Sequence, residues 1–155
     1  MPEIKKMNNE KMLADEIEKL KKDIEIAEKI AEEAHKGQFR NDGKTPFIEH
    51  PRAVAGSLYH HDSIIVGWLH DVVEDTDITF GNLLDQGISF HLVIVIEALT
   101  KRKDENYIDY IKRVKQNDIA TRVKIADLQH NILTSTNKHQ IEKYQLARYI
   151  LEKEN

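Results

Sequence analysis

The segment Trp68-Leu69-His70-Asp71-Val72-Val73-Glu74-Asp75 constrains this chain more than any other. From Ile64 to about Glu74, the residues Ile64, Ile65, Val66, Trp68, Leu69, Val72 and Val73 give a helix that is apolar over most of its circumference. Such a helix is buried. His70, Asp71, Glu74 and Asp75 interrupt it. Residues three and four apart on a helix are neighbours, so a continuous helix sets these four groups on one face near its end. Burying three carboxylates together costs on the order of several kcal/mol unless a cation or water compensates them. Taken alone, the segment has two readings. It is an exposed helix end with a coincidental histidine, or it holds a divalent metal at His70 and Asp71 beside a water-filled cleft lined by Glu74 and Asp75.

The remainder reads as helices punctuated by six glycines and three prolines. Leu13, Ile17, Leu20, Ile24, Ala27, Ile30 and Ala34 recur at steps of three and four, the stripe of a long amphipathic helix from about Asn9 to Lys36. Gly37 ends it, and Gln38 to Glu49, with Asn41-Asp42-Gly43 and Thr45-Pro46, reads as an ordered surface loop. Pro51 suits the first turn of a short helix, and Asp62-Ser63 offers a cap for the helix at Ile64. Thr79 and Ser89 cap helices ending near Leu84 and Leu99, and later helices run roughly 105–115, 118–134 and 138–153. No stretch alternates with period two. The expectation is an all-α, compact single-domain bundle of about seven or eight helices over 1–155, with 1–20 as a helical extension. The long N-terminal helix is a candidate homodimer surface.

A net charge of −4 argues against nucleic-acid or anionic-membrane partners. With no cysteine, any metal must be held by His, Asp, Glu or water. Met1 to Asp15 lacks a signal-type apolar core, and runs such as Leu92 to Ile96 are too short to span a bilayer. A cytoplasmic location is the resulting expectation.

Two distant segments favour the metal reading. His50 stands immediately before Pro51, and Asp127 lies in Val123-Lys124-Ile125-Ala126-Asp127-Leu128-Gln129-His130-Asn131, where Val123, Ala126, Leu128 and Ile132 are core candidates. Asp127, Asn131 and Thr134 recur at four and three, so they line one stripe. His50, His70, Asp71 and Asp127 together supply two imidazoles and two carboxylates. That donor set suits Mn²⁺ ahead of Fe²⁺, Zn²⁺ or Mg²⁺.

Four blocks in order, Ala34-His35-Lys36-Gly37-Gln38-Phe39-Arg40, Thr45-Pro46-Phe47-Ile48-Glu49-His50-Pro51, His70-Asp71-Val72-Val73-Glu74-Asp75-Thr76 and Lys124-Ile125-Ala126-Asp127-Leu128-Gln129-His130-Asn131, resemble the HD-type hydrolase domain of the RelA/SpoT alarmone enzymes. In length the chain is similar to the stand-alone small alarmone hydrolases. The resemblance implies that His50, His70, Asp71 and Asp127 bind one metal, usually Mn²⁺, and that Glu74 and Asp75 work on the attacking water. It implies nucleotide contacts from Arg40, Asn131 and Thr134, and it matches Lys124 to a lysine of the family's last block. Two departures fall in the expected substrate pocket. Leu128 stands where the family usually carries Arg, and the loop Arg40-Asn41-Asp42-Gly43-Lys44 differs in length and chemistry.

The implied reaction is hydrolysis of the 3′-pyrophosphate of guanosine tetraphosphate (ppGpp), with Arg40, Lys44 and Lys124 as cationic partners of the substrate. Lys101-Arg102-Lys103 is either a further cationic partner or a solvated loop. His35 is either a hydrogen-bond partner behind the metal or a cation at a helix C-terminus, with the structural role preferred. Tyr107, Tyr110 and Trp68 read as core or core-edge aromatics. The competing readings are an HD-type phosphohydrolase of another nucleotide, a silent nucleotide sensor, and a helical interaction module.

Overall fold

The computed structural model describes residues 1–154; Asn155, the last residue of the expected domain, lies outside them. Among the described residues the chain forms nine helices and no named strand. They are α1 (Pro2–Ala34), α2 (Glu49–Gly56), α3 (His61–Leu69), α4 (Val72–Asp75), α5 (Phe80–Asp85), α6 (Phe90–Leu99), α7 (Tyr107–Lys115), α8 (Asp118–Thr134) and α9 (Lys138–Glu152). The all-α expectation holds, with one helix more than the upper count.

The extra helix comes from a break within the opening segment. A continuous helix would offer the carbonyl of Gly67 to the amide of Asp71. That carbonyl instead accepts a hydrogen bond from His70 Nδ1 at 2.7 Å, and α3 ends at Leu69. Helix α4 restarts one turn later, with the Asp75 amide donating to the Asp71 carbonyl at 2.9 Å. Helix α3 also begins at His61, ahead of the expected Asp62-Ser63 cap. Ser63 is fully buried and accepts from Arg122 Nη1 at 3.1 Å. Other boundaries follow local chemistry: Thr79 and Asn82 form a reciprocal capping box, and Asn106, Asn117 and Asn137 cap α7, α8 and α9. Pro51 falls in the first turn of α2, where a missing amide is harmless.

Helix α3 is the hub, packing against α1, α2, α6 and α8. Ile65, Val66, Trp68 and Leu69 join Ala27, Ile30 and Ala31 of α1, Val54 and Ala55 of α2, Ile96 of α6 and Val123 and Leu128 of α8 in one apolar cluster. Only the C-terminal part of the α1 stripe reaches this cluster. Residues 1–22 are exposed, among them Leu13, Ile17 and Leu20.

Gly67 sets how closely α2 approaches α3. A Cβ there would lie 3.1 Å from the Ala55 Cα and 3.0 Å from Leu58 Cδ1. Because α2 carries His50 and α3 leads into His70, this contact also fixes the spacing of the two imidazoles. Gly67→Ala is expected to cost about 1–3 kcal/mol through overpacking. A thermal melt checks it, with an unchanged midpoint as the contrary result.

Candidate metal centre and substrate cleft

Three separate parts of the chain deliver the donors. The start of α2 supplies His50, the break after α3 supplies His70 and Asp71, and the middle of α8 supplies Asp127. His50 Nε2 lies 2.9 Å from Asp127 Oδ1 and 3.5 Å from Asp71 Oδ2. His70 Nε2 lies 3.0 Å from Asp71 Oδ2 and 3.6 Å from Asp127 Oδ1. The two Nε2 atoms are 3.2 Å apart. His50, His70 and Asp127 are buried, whereas the Asp71 side chain keeps 17% of its exposure and opens toward Glu74 and Asp75.

Hydrogen bonding tests whether this group fits a cation. A carbonyl only accepts, so the Gly67 carbonyl fixes a proton on His70 Nδ1. In neutral His70 the Nε2 lone pair then faces two carboxylates and a second imidazole. Lone pairs so placed need positive charge between them. The titration tendencies agree. Burial opposes charge on His70, but Asp71 and Asp127 override it and raise its pKa well above the usual histidine range. Burial likewise opposes ionisation of Asp127, and Lys124, His50 and His70 win, holding its carboxyl well below the usual range. Asp71 is shifted down, His70 outweighing burial. The residues therefore fit a divalent metal held by His50, His70, Asp71 and Asp127.

The surrounding contacts hold these donors in place. Lys124 Nζ donates to Asp127 Oδ2 at 2.7 Å and lies over the Tyr110 ring. Asn131 Nδ2 donates to Asp127 Oδ1 at 2.9 Å. Lys124 is thus directed at a candidate metal ligand, a contact that its i,i+3 spacing from Asp127 allows and that the substrate reading left out. His130 was missed as well: its Nδ1 lies 2.7 Å from His50 Nδ1. The visible signal was its i+3 spacing from Asp127 in the last block. His35 is buried and bonds through Nδ1 to Gln38 Oε1, and Gln38 Nε2 donates to the Asp75 carbonyl. Burial lowers its pKa, which disfavours the terminal-cation reading and agrees with its hydrogen-bonded place behind Gln38.

Arg40 reaches the cleft from the loop after α1. The Asp42 carboxylate accepts from the amides of Lys44 and Thr45, both at 2.8 Å, and from Thr45 Oγ1 at 2.6 Å. Gly43 completes the turn at φ +67°, a conformation that glycine adopts freely. Arg40 Nη2 then donates to Asn131 Oδ1 and Thr134 Oγ1, both at 3.0 Å. Asp127, Asn131 and Thr134 do form one line along α8, as their spacing requires. Two cavities flank this bridge. One of about 530 Å³ is bordered by Arg40, His50, His130, Asn131, Thr134 and Tyr144. The other, about 350 Å³, reaches Asp71, Glu74, Asp75, Lys101, Lys124 and Lys143. Lys44 lines neither of them.

Of the basic run, Lys101 borders the smaller cavity, whereas Arg102 and Lys103 are exposed and border neither. The Lys101 amide donates to Glu74 Oε1 at 2.8 Å. Arg113 steadies that loop, spanning both oxygens of Glu105 and the carbonyls of Ala98 and Thr100. Tyr107, beneath Lys143, and the buried Tyr110 both border the smaller cavity, while Trp68 is a core residue. Leu128 is fully buried, so the Arg-to-Leu departure lies in the core and not on the cleft wall.

No protein-family model matches the chain. Curated relatives do. Over 137 residues it is 32% identical to the guanosine-3′,5′-bis(diphosphate) 3′-pyrophosphohydrolase of Haemophilus influenzae, covering 79% of this chain and 20% of that protein. Over 138 residues it is 30% identical to the bifunctional (p)ppGpp synthase/hydrolase SpoT of Escherichia coli K12, covering 79% and 19%. The chain therefore spans about a fifth of the length of these relatives. A solved structure described as "A metazoan ortholog of SpoT hydrolyzes ppGpp and plays a role in starvation responses" superposes with a TM-score of 0.65. It covers 83% of both chains at 18% identity. This chain is a RelA/SpoT hydrolase-like HD domain. Within such a domain the His/Asp group is where a divalent metal is implied. Among the described residues, no helix is long and apolar enough to cross a membrane.

Asp75 gives a direct readout of the ion. Burial, then Asp71 and Glu74, push its carboxyl up to about 6. A cation nearby favours the ionised form. Adding Mg²⁺ to metal-free protein should therefore lower the Asp75 pKa in a ¹³C NMR titration. An unmoved curve would place the ion elsewhere.

Proposed function

We propose that this HD domain hydrolyses the 3′-pyrophosphate of ppGpp, giving GDP and pyrophosphate, with Mn²⁺ held by His50, His70, Asp71 and Asp127. The observation that carries the reading is the buried trio His50, His70 and Asp127, joined through Asp71 Oδ2, 3.0 Å from His70 Nε2 and 3.5 Å from His50 Nε2, to a pair of acids. Asp71, which closes the donor set, also offers its carboxylate to a cluster with Glu74 and Asp75. The names of the relatives point to the same substrate. The ion, when bound, supplies a Lewis acid for a phosphoryl oxygen and lowers the pKa of a bound water.

The chain's own residues do the rest. Glu74, steadied by the Lys101 amide, and Asp75 orient the water and accept its proton. The contribution is about 10²–10⁴-fold for a well-placed base. Water oxygen adds to the phosphorus attached to the ribose 3′-oxygen, the P–O3′ bond breaks, and the 3′-oxygen takes up a proton. Arg40, bridging to Asn131 and Thr134, presents a planar cation to the nucleotide, and Lys101 and Lys143 offer charge to the phosphates. Lys124 serves through Asp127, keeping that ligand anionic. Leu128 is buried and borders neither cavity, which supports ppGpp over another nucleotide.

A nucleotide panel including ppGpp, with and without Mn²⁺, tests the proposal by ion-exchange separation of products. Pyrophosphate released from ppGpp only with metal is the expected result. Phosphate released from other nucleotides with ppGpp intact contradicts it. Glu74→Gln should retain Mn²⁺ binding and lose about 10²-fold or more in kcat; a wild-type rate would remove Glu74 from the proton-transfer step.

A further inference from the structure

His130 touches both halves of the site. Its ring packs on His50 with centroids 4.9 Å apart, and it borders the larger cavity beside Arg40 and Asn131. Among the described residues its Nε2 has no protein partner, while its Nδ1 is paired with His50 Nδ1 at 2.7 Å. Two ring nitrogens at that distance share a single proton, and which ring owns it decides the tautomer of both.

We infer that His130 is a positioning residue that converts metal occupancy into a hydrogen-bond donor facing the nucleotide cavity. The inference rests on the proposed metal set. His50 Nε2 faces the other three donors, so its lone pair is the one available to a cation. With that lone pair used, the His50 proton resides on Nδ1 and is donated to His130 Nδ1. Neutral His130 then carries its own proton on Nε2, which offers an N–H to the cavity. That uncharged donor suits a phosphoryl or ribose oxygen.

Without a cation the arrangement reverses. His50 Nε2 keeps a proton and donates it to Asp127 Oδ1 at 2.9 Å. His50 Nδ1 then accepts from His130 Nδ1–H, leaving a lone pair on His130 Nε2. A lone pair there repels the oxygens that an N–H attracts. Metal binding and occupation of the cavity by an oxygen-rich ligand therefore favour each other through one pair of imidazoles. Such coupling is reciprocal by thermodynamic necessity.

Long-range ¹H–¹⁵N NMR on the full chain, metal-free and saturated with diamagnetic Zn²⁺, reads the tautomer directly. The expected result is a His130 proton on Nδ1 without metal and on Nε2 with it; the same tautomer in both states overturns the inference. His130→Phe keeps a ring and removes the acceptor, and Zn²⁺ affinity should fall about 10–100-fold, the usual effect of deleting a hydrogen-bond partner behind a metal ligand. Unchanged affinity in a folded variant also overturns it. Should the variant not fold, the wild-type spectra decide alone. Neither readout involves ppGpp, so a tautomer switch without ppGpp hydrolysis would refute the proposed substrate and leave this inference standing.

Discussion

Four donor atoms from His50, His70, Asp71 and Asp127 crowd together with neighbouring separations of 2.9 to 3.6 Å. Much of the structure serves to hold them there. Carboxylates and imidazoles in a buried pocket are tolerable only when positive charge sits among them. The fold meets that demand partly from within, with Lys124 and the Asn131 amide donating to Asp127. The remaining demand is what the proposed cation would meet. The close α2–α3 contact at Gly67, the break before α4 and the stripe along α8 all keep these atoms convergent.

The same crowding divides labour among the acids. Asp127 is enclosed and tied on both oxygens, as befits a fixed ligand. Asp71 is partly open and stands between the donors and the Glu74–Asp75 pair. Burial and its acidic neighbours keep Asp75 easier to protonate than an ordinary carboxylate. Arg40, Lys101 and Lys143 border the cavity on the other side, where the proposed substrate would bring its negative charge. A chain of net charge −4 can thus still present a cationic wall to a polyanion, because the cations are gathered at one cleft.

The helical class and the Asp127–Asn131–Thr134 line were legible in the sequence, because helical periodicity acts locally, and the four donors proposed for the metal do converge. The break at His70-Asp71 was not. It depends on which group takes the Gly67 carbonyl, and an apolar run continues on both sides. Lys124 read as a substrate cation from the family's last block, and the i,i+3 spacing that lets it pair with Asp127 was present but unused. His130 was overlooked because its partner, His50, is 80 residues away. Leu128 was visible both as a core position and as a departure from the family, and only its burial joins the two.

The central claim is that the crowded donors form one metal site, proton-filled when the ion is absent. Calorimetric titration of metal-free protein with Mn²⁺, in buffers of different ionisation enthalpy near neutral pH, tests it most directly. Metal binding at deprotonated ligands releases protons. The account predicts one ion per chain, with the proton on His70 displaced as it binds. Binding without proton release, or no binding at all, would contradict it.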